Sequence, residues 1–122
     1  MLKILTIDDS RVMRQMLHAT LSGAGHTAIQ AADGQERLET LSDAGHVDLI
    51  ITDINMPRLD GFGFIEKARE LPAHRATSIL VLSTESSDEK KARARTAGAS
   101  GWIVKPFNSE TLLRAVRRVT TG

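Results

Sequence analysis

One pattern restricts the fold of this sequence more than any other. Short apolar runs alternate with longer stretches that repeat at helical spacing. Residues 2–7, 47–52, 78–82 and 101–104 are the apolar runs, and residues 26–31 read as a further strand. Such continuous runs suit strands buried on both faces. Between the first two strands, Val12, Met13, Met16, Leu17 and Leu21 recur at helical spacing. Ser10 or Asp9 is placed to cap that helix, and Gly23 and Gly25 to stop it. A short helix is expected over residues 34–41, with Leu38 and Leu41 inward. Asp60 or Gly61 opens another helix to Glu70, with Phe62, Ile65 and Ala68 inward. Ser86 and Glu89 have the spacing of a capping box for a helix ending at Gly98. Asn108 caps a last helix with Leu112, Leu113, Val116 and Val119 inward.

Five β units alternating with five α units predict an α/β fold. A parallel sheet is doubly wound with helices on both faces, because each crossover is right-handed. The 122 residues are the size of one ordinary domain. No linker or repeat divides them. The expectation is a single domain over residues 1–122 with no output domain.

Ligands of such sheets bind outside the carboxyl ends of the strands. The first strand delivers Asp8 and Asp9 there, the third Asp53, the fourth Ser83 and Thr84, and the fifth Lys105. Three carboxylates, two hydroxyls and an ammonium thus converge on one rim. Clustered carboxylates repel, and a divalent cation relieves them. The chain has no cysteine, and its histidines at 18, 26, 46 and 74 form no zinc-binding pair. An all-oxygen set favours Mg²⁺, with Mn²⁺ the alternative. A carboxylate can attack phosphorus to form an aspartyl phosphate. The developing charge on the transferred oxygens needs several donors, which the cation, Lys105 and Ser83 can supply.

A net charge of +1 gives no global field for nucleic acid or a membrane surface. The longest apolar run is too short to span a bilayer and no signal peptide opens the chain. The expected location is the cytoplasm.

The DD pair after the first strand, TDINMPRLDGF around Asp53, LVLST after the fourth strand and GWIVKPF at the fifth resemble the response-regulator receiver family. The resemblance runs end to end and closest to the stand-alone chemotaxis (CheY-like) type. It implies a flavodoxin-like (βα)5 fold with strand order 2-1-3-4-5. It implies that Asp53 is the phosphoacceptor, that Asp9, Asp53 and the Asn55 backbone carbonyl are direct metal ligands, and that Asp8 acts through water. It makes Ser83 the switch hydroxyl, Lys105 the phosphate-binding lysine and Trp102 the switch aromatic, and it implies a cis Lys105–Pro106 bond. Phosphorylation would draw Ser83 inward, and Trp102 would fill the vacated space. That alters the face of the fourth helix, fifth strand and fifth helix. The implied partners are a histidine kinase, of the chemotaxis type, and a flagellar motor switch protein or other effector; the implied state is a monomer. On this reading the protein is a signalling switch, not an enzyme beyond its own phosphotransfer and dephosphorylation.

Some positions depart from the family's commonest pattern. Ser83 stands where Thr is usual, Trp102 where Tyr or Phe is usual, and Thr84 where a smaller residue is usual, so its methyl narrows access to the phosphoryl group. Lys90, Lys91, Arg93 and Arg95, with Arg114, Arg117 and Arg118, make a basic surface that is either a solvated face or a dock for an acidic segment. The alternative within the family is a phosphate sink or relay intermediate. Two readings from other classes each lack a feature they need. A flavodoxin-like carrier needs a phosphate-cradling loop where Asp8 and Asp9 stand. An aspartyl phosphatase needs a second acid, which Asn55 does not supply.

Overall fold

The computed structural model describes residues 2–31, 46–54, 61–85 and 87–120. Its strands are Lys3–Ile7 (β1), Thr27–Ala31 (β2), Leu49–Asp53 (β3), Ser78–Ser83 (β4) and Gly101–Val104 (β5). Its helices are Arg11–Gly23 (α1), Gly61–Glu70 (α2), Asp88–Ala97 (α3) and Ser109–Thr120 (α4), with a 3₁₀ turn at Pro72–His74. The five strands form one parallel sheet in the order β2-β1-β3-β4-β5. The fold class expected from the sequence pattern and the strand order implied by the family resemblance are both observed. The helix expected over residues 34–41 lies outside the described residues.

Alternation along each strand divides the core into two layers. Leu5, Ile7, Ile50, Ile79 and Val81 pack against Phe62, Phe64, Ile65 and Ala68 of α2 and Ala94 of α3. Ile4, Leu49, Ile51, Leu80 and Leu82 face Leu17 and Leu21 of α1 and Leu112 and Val116 of α4. Each full burial of such an aliphatic side chain is worth about 2 kcal/mol. All five residues of β3 are buried, the apolar Leu49, Ile50 and Ile51 together with the polar Thr52 and Asp53 that end the strand. Two details differ from expectation. Val12 leaves the helical stripe and is 76% exposed, because one turn of α1 cannot turn Val12 and Met13 to the same face. Phe64, not singled out in the sequence, is fully buried.

The caps explain where the helices start. The Ser10 hydroxyl accepts from Met13 N at 3.2 Å, and Asn108 Oδ1 accepts from Thr111 N at 2.8 Å. The capping box proposed at Ser86 is corrected: Ser87 is the N-cap of α3 and accepts from Lys90 N at 3.2 Å. That register sets Asp88 and Glu89 in the first turn, where the helix dipole favours negative charge. Gly98 ends α3 at φ 120°, a conformation few L side chains adopt.

Candidate phosphoacceptor site

Strand register decides which polar residues meet. Ile7 pairs with Thr52, Asp53 with Leu82, and Ser83 with Val104. Asp8, Asp53, Ser83 and Lys105 therefore leave the sheet at one carboxyl edge, each at or just beyond its strand's last ladder position.

Asp8 is fully buried and held on both carboxylate oxygens. Its Oδ1 accepts from Ser10 N at 2.9 Å, and its Oδ2 lies 2.7 Å from Lys105 Nζ. Asp53 is 7% exposed. Its Oδ1 accepts from Ile54 N at 2.7 Å, and its Oδ2 lies 3.6 Å from Lys105 Nζ. The Thr52 hydroxyl donates to the Asp53 carbonyl at 2.8 Å. Asp9 is exposed at the mouth. One carboxylate oxygen from each of Asp8, Asp9 and Asp53 falls within 4.8 Å of the others. At that separation each like-charge pair repels by about 3 kcal/mol at an effective dielectric of about 20. The Lys105 ammonium touches two of the three. The donor set is all oxygen and part buried, and it fits a hard divalent cation such as Mg²⁺. Asn55, whose backbone carbonyl the family resemblance makes a metal ligand, lies outside the described residues.

The hydroxyl and the aromatic are also placed. Ser83 is buried at the end of β4, and its Oγ accepts from Glu85 N at 3.1 Å, which leaves its own proton free to donate. Lys105 N donates to the Ser83 carbonyl at 2.7 Å, tying the lysine's backbone to β4. Thr84 is exposed. Trp102 is half-buried against the α2–α3 layer, and its Nε1 donates to the Glu85 carbonyl at 3.0 Å. The Glu85 carboxylate pairs with Lys90. Ser83 and Trp102 are thus joined through the backbone of one residue, Glu85, which donates from its N–H to the first and accepts at its carbonyl from the second. The Lys105–Pro106 bond is cis.

The sequence reading missed three contributors. Glu85 carries no chemical signature, because its backbone makes the link. Gly61 matters through a close approach: a Cβ there would sit 2.4 Å from the Asp53 carbonyl oxygen. Arg14 donates from Nη1 to the Asp8 carbonyl at 2.6 Å. Its bond goes to a backbone carbonyl, which no side-chain pattern in the sequence marks. Of the histidines, His74 is buried and bonded to the Thr77 hydroxyl at 3.2 Å, while His46 pairs with Asp48 away from the site.

Comparison with known proteins agrees with this geometry. The family model "Response regulator receiver domain" matches residues 4–117. The chain is 35% identical over 120 residues to a gliding motility regulatory protein of Myxococcus xanthus, of which it spans 15% of the length. It is 34% identical to protein PilG of Pseudomonas aeruginosa, covering 95% of this chain and 85% of that protein. It is 33% identical to a chemotaxis protein CheY homolog of Campylobacter jejuni, covering 91% of this chain and 86% of that protein. Among solved structures, Vibrio cholerae chemotaxis protein CheY4 superposes with a TM-score of 0.93 at 46% identity over 98% of both chains. With the whole sheet, the acidic edge and the matched residues in agreement, this chain belongs to the response regulator receiver domain family and is a CheY-like receiver.

Proposed function

We propose that Asp53 accepts a phosphoryl group from the phosphohistidine of a chemotaxis-type histidine kinase and that the new charge switches the surface around Trp102. The observation that carries this reading is the buried Asp53 carboxylate, 3.6 Å from Lys105 Nζ and clustered with Asp8 and Asp9. A carboxylate oxygen of Asp53 forms a bond to phosphorus as the bond to the donor nitrogen breaks, and the leaving imidazole keeps the electron pair. Mg²⁺ held by Asp9, Asp53 and the Asn55 carbonyl, with Asp8 acting through water, would supply neutralising charge to the transferred oxygens. Lys105 holds a second oxygen, and the Ser83 hydroxyl donates to a third.

The signal then leaves through the chain's own bonds. A Ser83 hydroxyl drawn toward the phosphoryl group pulls on the Glu85 N–H, and the carbonyl of the same residue holds the Trp102 indole. Beside Trp102 lies a groove of about 690 Å³ lined in part by Phe107, Arg114 and Arg118. This basic, part-apolar surface suits an acidic segment of a flagellar motor switch protein or other effector. A two-state element biased by a local charge is enough to gate it. The chemotaxis names of similar proteins support that assignment. Among the described residues no helix is long and apolar enough to cross a membrane. A cytoplasmic monomer fits this role.

The test follows Trp102, the chain's single tryptophan, by fluorescence. Mg²⁺ and then acetyl phosphate are added to wild type and Asp53→Asn, with intact mass in parallel. One added phosphoryl group with a fluorescence change, both lost in Asp53→Asn, is the expected result. No mass increase overturns the acceptor assignment. A mass increase without a Trp102 response overturns the switch and leaves a phosphate sink.

A further inference from the structure

We propose that Arg14 is a positioning residue of the acidic site, setting the Asp8–Asp9 backbone so that these carboxylates can share a divalent cation; this rests on the site reading above. Arg14 lies on α1, one turn beyond the Ser10 cap, and is half-buried. Its Nη1 donates to the Asp8 carbonyl at 2.6 Å, the short distance of a charge-assisted bond. That carbonyl belongs to the Asp8–Asp9 peptide. Asp8 is also fixed through its side chain, by Ser10 N at 2.9 Å and Lys105 Nζ at 2.7 Å. Asp9 differs: it is exposed, and the direction in which its carboxylate leaves the chain follows the peptide that Arg14 holds. The Arg14 backbone is itself anchored, since its N–H donates to Ser10 O at 3.0 Å and its carbonyl accepts from Gln30 Nε2 at 3.4 Å. The guanidinium thus transmits the rigidity of α1 to the turn that carries Asp9.

Charge and positioning act in opposite directions here, which makes the inference decidable. A cation near three carboxylates disfavours a second cation, so removing Arg14 for its charge alone tightens Mg²⁺ binding. Removing a group that orients ligands weakens metal binding, by about 10-fold or more. The experiment is a calorimetric titration of wild type, Arg14→Met and Arg14→Lys with MgCl₂ alone, with thermal unfolding of each as a check on folding. Arg14→Met keeps the apolar stem and removes the donor; about 10-fold weaker binding is expected. Arg14→Lys keeps the charge on a shorter reach, and an intermediate loss is expected. Unchanged or tighter binding by Arg14→Met overturns the proposal. If Arg14→Met does not fold, Arg14→Lys decides, and binding equal to wild type overturns the proposal. Wild type that takes up no Mg²⁺ overturns the cation site itself, a separate outcome.

Discussion

Gly61 shows how a single backbone position governs the acceptor. Its N–H donates to Ile54 O at 2.8 Å, so α2 begins directly against the end of β3. A Cβ at this position would meet the Asp53 carbonyl oxygen at 2.4 Å and Ile54 Cα at 2.6 Å. Both are backbone atoms of the acceptor segment and neither can swing away. Gly61→Ala therefore forces α2 off β3 or Asp53 out of place. We expect a loss of about 1–3 kcal/mol in urea unfolding. Phosphoryl uptake from acetyl phosphate should slow in the same variant, and full stability with full uptake would refute the steric argument. Asp8, by contrast, is restrained by side-chain bonds, so its geometry depends on Lys105 and Ser10 and not on open space.

Between elements, Arg69 binds together parts of the chain that share no strand or helix. From α2 its Nη1 donates to His74 O at 2.8 Å and Thr77 O at 2.6 Å. Its Nε and Nη2 donate to Gly98 O at 3.2 and 2.6 Å, which closes the end of α3. Burial pulls the guanidinium below its usual range, though an arginine starts so high that it stays charged. Three carbonyls depend on this one side chain. Arg69→Met keeps the stem and leaves them without that donor, and a loss of about 2–4 kcal/mol is expected in thermal unfolding. A variant within about 0.5 kcal/mol of wild type would show that water replaces the guanidinium. The same junction explains Gly98, since a Cβ there would meet Arg69 Nε at 2.8 Å.

For the molecule as a whole, acid acts at the sheet edge opposite the site. Asp48 Oδ2 accepts from Lys3 N at 2.8 Å, and its Oδ1 lies 2.8 Å from His46 Nε2. The backbone bond from Lys3, with the His46 contact second, holds the Asp48 carboxyl below its ordinary value. A depressed folded-state value means that the unfolded chain takes up the proton first as pH falls. The stabilisation is therefore present above about pH 4 and is lost as pH drops through the lower folded-state value. Asp48→Asn should be less stable than wild type at pH 7, and the gap should close toward pH 3. A gap that does not change with pH would remove the charge from the explanation. The acidic edge and this edge lie at opposite ends of the same strands, so the Asp48 change leaves phosphoryl uptake as its internal control.

The fold was legible because period and burial agree. Residues 49–51 are apolar, only Thr52 separates them from the acceptor, and β3 is buried throughout. Leu17, Leu21, Leu112 and Val116 recur at helical spacing and cover one face of the sheet. Asp8, Asp9, Asp53, Ser83 and Lys105 could be assigned to one rim because parallel strands deliver their last residues to a common edge. The N-cap of α3 could not be fixed, since Ser86 and Ser87 are adjacent hydroxyls and only packing selects the register. Arg14, Glu85 and Arg69 were not legible, because each acts on or through a backbone carbonyl, and a sequence does not show which carbonyls face it. By itself the sequence determined the sheet, its covered faces and the acidic rim, through hydrophobic periodicity and the residues that end it. Only the tertiary structure decided which charge holds which oxygen, since bonds to the backbone depend on distances between elements far apart in the chain.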